Sequence, residues 1–141
     1  MSSAEAEQPL VLLDDRQDER VDEKGLSGLA RRVLLAEGVV GGELSISFVD
    51  PEEMADLHVR YMDQDGPTDV LSFPQDPGCG LLGDVVICPG EAAKNNPDVE
   101  QELRLLLVHG ILHLLGHDHE NDAERAAMWA KQERYTGMHL P

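Results

Sequence analysis

The sequence predicts an α+β fold: one domain with a mixed sheet of about four strands, a central buried helix and flanking helices. Three observations carry this. Segments of alternating apolar residues and segments with apolar residues at three- and four-residue spacing follow one another in the order βαβαββαα. One segment, residues 97–115, is apolar on more than one face, which marks a helix enclosed at the centre of a domain. The chain has 141 residues, 41 % of them apolar, which suits a single core. Only 4 % are aromatic, so aliphatic side chains must fill that core.

Taken in order, residues 1–8 are polar and read as a disordered tail, and 9–141 as the domain. PLVLLD, 9–14, reads as a strand, followed by the charged segment DRQDERVDEKG. Leu26, Leu29, Ala30, Val33 and Leu34 then recur at i, i+3, i+4, i+7 and i+8, one face of an amphipathic helix that Gly38 stops. ELSISFVD, 43–50, turns Leu44, Ile46 and Phe48 inward and Ser45 and Ser47 outward, a half-buried strand. Asp50-Pro51-Glu52-Glu53 starts a helix running to about Arg60, with an acidic N-cap, proline at the first position and acids in the first turn. DQDGP, 63–67, is a turn, and TDVLSFP and LLGDVVICP are two strands joined by a DPGCG loop. Asn96-Pro97-Asp98 opens the buried helix, and Asn121, with Glu124 as its capping-box partner, opens the last one, which ends near Gly137.

The net charge is −17, divided as −5 over residues 1–24, −3 over 25–60, −6 over 61–98 and −3 over 99–141. A field spread in this way repels phosphate backbones at long range, and any nucleic-acid role must overcome it. Cys79 and Cys88 match neither a CxxC redox motif nor a zinc finger; Cys88, inside DVVICP, reads as a buried small hydrophobe. No apolar run approaches the roughly 20 residues that span a bilayer. The first residues lack the basic region of a secretory signal. A soluble cytoplasmic protein with no membrane partner is the expectation.

Chemistry concentrates in HGILHLLGHDH, residues 109–119, which holds four of the six histidines. His109 and His113, four apart on the buried helix, share a face and can reach one ion. Gly116 ends the helix and turns the chain, so that His119 can return as a third ligand. Three neutral imidazoles suit one zinc ion or another divalent transition metal, and the fourth zinc position left to water marks a catalytic site. Asp118 reads as a residue that orients a ligand or bonds turn amides. His117, beside the glycine, reads as exposed and outside the ligand set; His58 and His139 are isolated. The spacing also matches the zinc-protease signature HExxHxxGxxH, but Gly110 stands where that motif needs its glutamate, so the usual general base is missing.

The stretch from His109 to His119 resembles the HGxLHLxGxDH hallmark of the YbeY family at every fixed position. DGPTDVLSFP at 65–74 and LLGDVVICP at 81–89 are similar to two further family blocks, in family order. The resemblance covers most of residues 9–137. It implies a small metal-dependent endoribonuclease with zinc on His109, His113 and His119. It also implies single-stranded RNA in the cleft beside the metal, notably near the 3′ end of 16S ribosomal RNA. Roles in ribosome quality control and partners among the ribosome and its associated proteins would follow. One position departs: the family arginine ahead of the PTDVLSF block is Met62 here. Arg60, two residues earlier, is the candidate replacement, provided that the segment is not a regular helix. Asp69 and Ser72 alternate to opposite strand faces, and Asp84, after Gly83, reads as a strand-start residue bonded to a turn. Arg31, Arg32, Arg60, Lys94 and Arg104 are the candidate basic rim. A metalloprotease-like or other small-substrate zinc hydrolase, and a non-enzymatic ribosome-assembly factor with structural zinc, are the alternatives.

Overall fold

The computed structural model describes residues 8–75, 80–117 and 121–137. The expected tail (all but its last residue), Cys79, Asp118, His119 and His139 therefore lie outside the described residues. The elements are β1 (Leu10–Asp15), α1 (Glu23–Ala36), β2 (Glu43–Phe48), α2 (Pro51–Met62), β3 (Val70–Pro74), β4 (Leu81–Ile87), α3 (Pro89–Asn95), α4 (Val99–Leu114) and α5 (Asp122–Thr136). The sheet order is β1-β2-β4-β3, with β1, β2 and β4 parallel and β3 antiparallel to β4. This is the expected mixed α+β architecture with one addition. The short α3 follows Cys88 directly, with Pro89 at its first position and Glu91 in its first turn. That is the proline-led start that also announces α2, and the apolar run ending at Cys88-Pro89 concealed it.

The sheet separates two cores. On one face Val11, Leu44, Ile46, Phe48, Val85 and Ile87 meet the buried stripe of α1 and the length of α4. On the other, Leu71, Val86 and Cys88 meet Val49 and Met54, with Leu57 of α2 packed alongside. Cys88 is fully buried, and burial pushes its thiol pKa up, which leaves it an inert core residue. Each fully buried aliphatic side chain contributes roughly 1.5–3 kcal/mol, whereas exposed ion pairs such as Arg60–Asp56 contribute about 0–1. Apolar burial therefore decides where the helices sit. Among the described residues no helix is long and apolar enough to cross a membrane.

Helix α4 packs against α1, α3, α5, β3 and β4. Asp98 caps its start by accepting from the Gln101 amide at 3.2 Å. The helix comes tightly against the sheet at Gly110. A Cβ there would lie 2.7 Å from Val85 Cγ1 and 3.2 Å from Ser72 Oγ. Ser72 uses that proximity, donating its hydroxyl to the Gly110 carbonyl at 3.1 Å. Replacing Gly110 by alanine sets an overpacking cost of about 1–3 kcal/mol against a helix-propensity gain of roughly 1. A net loss of up to about 2 kcal/mol is expected from Gly110→Ala in urea denaturation. A raised midpoint would contradict the close approach.

Candidate metal centre and its cleft

His109 and His113 stand one turn apart near the C-terminal end of α4, as their spacing predicts. Their rings meet edge to face with centroids 4.8 Å apart. His109 Nδ1 lies 2.7 Å from Gln132 Oε1. An amide oxygen only accepts, so the ring carries its proton on Nδ1 and its lone pair on Nε2. Gln132 is 3 % exposed, so this partner is fixed by packing from α5. An imidazole with one nitrogen held by a buried acceptor and a second imidazole one turn on is donor chemistry that fits zinc. The expected third histidine, His119, and Asp118 lie beyond the described residues.

The helix ends as the glycine predicts. Gly116 has φ +96°, its N–H reaches the His113 carbonyl at 3.1 Å and the His117 N–H reaches the Leu112 carbonyl at 3.0 Å. That pair of bonds is a Schellman turn, and a side chain at 116 would cost about 1–2 kcal/mol. His117 departs from the exposed role expected of it. Its Nε2 donates to Glu37 Oε1 at 2.8 Å. Glu37, the residue after α1, also accepts from Lys131 Nζ at 2.8 and 2.9 Å and from the Tyr135 hydroxyl. Its side chain is 7 % exposed. Burial pushes the carboxyl up, but the hydrogen bonds from Lys131, Tyr135 and His117 outweigh burial and hold it at about 2. One acid thus fastens the turn after α4 to both α1 and α5. Sequence spacing could not reveal it, because its partners are 80 to 98 residues away.

Beside His109 opens a cleft of about 410 Å³ walled by Arg125, Met128, Trp129 and Gln132. These four recur at i, i+3, i+4 and i+7 on α5, so one helix face forms the wall. None of the five cations expected to form a rim lines it. Arg31 and Arg104 line grooves against β1 and α1, and Lys94 pairs with Glu91. Arg60 is exposed and donates to Asp56 at 2.8 Å. Helix α2 continues regularly through Met62, so Arg60 points about 200° away from position 62. The condition for its replacing the family arginine is not met.

The other residues singled out are spread over the fold. Asp69 lies just ahead of β3 and accepts from Asn95 at 3.0 Å, while Ser72 faces α4. Asp84 sits in the middle of β4 rather than at a strand start, accepting from Gln75 at 3.2 Å. It lies on the sheet face opposite α4, in a separate cleft of about 310 Å³ with Arg16, Tyr61 and Phe73. His58 Nδ1 donates to the Gly66 carbonyl at 2.9 Å and holds the turn after α2. Gly110 also decides against a peptidase-like reading. A side chain at 110 would point into Val85 and Ser72, where a glutamate could reach neither water nor substrate.

A family model described as endoribonuclease YbeY matches residues 12–138. The chain belongs to the endoribonuclease YbeY family. It is 49 % identical over 126 residues to the endoribonuclease YbeY of Thermobifida fusca, covering 79 % of this chain and 81 % of that protein. The Streptomyces griseus relative is 43 % identical over 130 residues, covering 79 % of each chain. The Frankia casuarinae relative is 47 % identical over 132 residues, covering 81 % of this chain and 66 % of that one. A solved structure, TM1509 from Thermotoga maritima, aligns over 89 % of this chain and 87 % of its own, with 28 % identity and a TM-score of 0.63. Membership of the YbeY family makes this chain an enzyme, a nuclease of the metal-dependent hydrolase kind, and removes the non-enzymatic alternative.

The Glu37 hub has a pH signature. Because its folded pKa is depressed, its contribution to stability is full above the ordinary carboxylate value of 4.5 and is lost as pH falls towards about 2. Unfolding free energy measured between pH 6 and pH 2 should therefore fall less steeply in Glu37→Gln than in the wild type. Parallel acid limbs would show that the carboxylate is not so held.

Proposed function

We propose that this chain is a zinc-dependent, single-strand-specific endoribonuclease of the cytoplasm. It matures ribosomal RNA, in particular the 3′ end of 16S RNA, and serves ribosome quality control, with the ribosome and its associated proteins as partners. The observation that carries this reading is a pair of imidazoles held on a buried helix at the wall of an open cleft, in a chain of the YbeY family. His109, His113 and His119 hold one zinc ion or a related divalent transition metal, and Asp118 orients the turn that brings His119 to them. Bound zinc supplies Lewis-acid chemistry: it polarises a phosphoryl oxygen and lowers the pKa of water. The chain's own residues supply the frame. Gln132 fixes the tautomer and tilt of His109, Gly116 turns the chain after His113, and Glu37 anchors that turn through His117. The net charge of −17 opposes RNA binding by the isolated chain, so affinity is weak and falls steeply with salt, and the ribosome delivers the substrate.

Purified chain, its His113→Ala variant, and both with chelator and then restored zinc should be compared on ribosomal RNA. Losing several kcal/mol of transition-state stabilisation lowers cleavage by at least about 100-fold in the variant and in the chelated wild type, and zinc restores only the latter. Cleavage surviving both treatments would reject a metal nuclease. In a separate measurement, Gln132→Leu should weaken zinc binding about 10- to 100-fold in competition with a chromophoric chelator. Equal affinity would deny Gln132 its orienting role.

A further inference from the structure

The cleft beside His109 has a feature that metal chemistry does not require. Trp129 is the chain's single tryptophan, and it is 40 % exposed although apolar burial could have claimed it. Arg125 lies four residues before it on α5, so the guanidinium and the indole share one helix face. In a chain with 28 acids and 11 basic residues, Arg16, Arg60, Lys94 and Lys131 are taken up in ion pairs with neighbouring carboxylates. Arg125 makes none among the described residues. It lines the cleft with its charge uncommitted, on the wall that His109 and Trp129 complete. Beyond the ridge made by Arg125 and Trp129, a second cleft carries Asp122 and Glu133, which repel an anion. An anionic ligand therefore has one favourable side, the side of His109.

We infer that Arg125 and Trp129 form a nucleotide subsite of this cleft, in which an unpaired RNA base stacks on the Trp129 indole and an adjacent phosphate pairs with the Arg125 guanidinium. The inference rests on the nuclease reading above. Its chemistry is that of single-strand recognition: an aromatic face accepts any unstacked base, and a guanidinium holds phosphate oxygens in a fork. A duplex keeps its bases stacked inside and offers none to the indole. The subsite therefore selects single strands without reading sequence, and it sets the strand against His109. The volume, about 410 Å³, suits one nucleotide rather than a helix.

The test uses the zinc-loaded full chain and an unstructured oligouridylate of roughly ten nucleotides, a length such grooves accommodate. Its phosphorothioate linkages and 2′-O-methyl riboses let it bind without being cut. Saturable quenching of Trp129 emission is expected from the single strand and not from the same sequence in a duplex. With a fluorescein-labelled strand read by anisotropy, Trp129→Ala should raise Kd about tenfold and Trp129→Phe by less. Arg125→Gln should raise Kd several-fold and reduce the slope of log Kd against log salt by about 0.7, the value of one single-strand phosphate contact. Both side chains are on the surface, and thermal melts and zinc affinity of each variant confirm an intact fold and centre. Unquenched Trp129 at saturating oligonucleotide, or an unchanged Kd in both Trp129→Ala and Arg125→Gln, overturns the subsite. If the wild type still cuts ribosomal RNA under that result, the nuclease reading stands without it. RNA neither bound nor cut by the wild type overturns both.

Discussion

The contact on which the rest depends is the approach of α4 to the sheet at Gly110. A helix normally stands off a sheet by the thickness of two side-chain layers. Here one layer is missing at one point, and Val85 and Ser72 fill the gap from the strand side. That contact fixes the rotation of α4 about its axis. Position 110 faces the sheet, so positions 109 and 113, about 100° and 60° from it on the same side of the helix, are carried to its flank next to α5. The imidazoles reach the cleft because the residue between them does not. The glycine that breaks the resemblance to a zinc peptidase is therefore the residue that aims the histidines.

The second constraint is electrostatic. A chain this acidic places nearly all its carboxylates in water, where their repulsion is screened. Glu37 is the exception in the site's neighbourhood, and it is tolerated because a lysine, a tyrosine and a histidine surround it. A buried acid with several donors costs desolvation but fixes geometry, since no other arrangement satisfies all the partners. Arg125 is set apart by its place rather than by its lack of a carboxylate: it lines the same cleft as His109 and Trp129.

Much of this was legible in the sequence because it depends on local period and local chemistry. The stripe Leu26–Leu34, the alternation around Ile46 and the caps at Asp50 and Asn121 need only near neighbours, and each stands where its pattern puts it. The imidazole pair and the Gly116 turn are local too. What was hidden depends on packing between distant segments. Gln132 and Trp129 occur in a helix with a weak apolar pattern, and only the docking of α5 on α4 turns them towards His109. The candidate basic rim failed for the opposite reason: charge composition cannot say which cations are already paired, and Arg60 and Lys94 are held by acids on their own helices. Asp84 was misplaced because a glycine before it suggested a turn, whereas β4 runs through that glycine.

The Glu37 hub also orders events in time. Its partners lie 80, 94 and 98 residues further along the chain, so the bonds that steady the turn after α4 cannot form until α5 has been made. On a translating ribosome α1 and the parallel strands emerge first, and Glu37 waits with its charge in water. The histidine platform then emerges before the segment that locks it. Competence thus arrives with α5: until that helix docks, the histidine platform stands without the bonds that steady its turn.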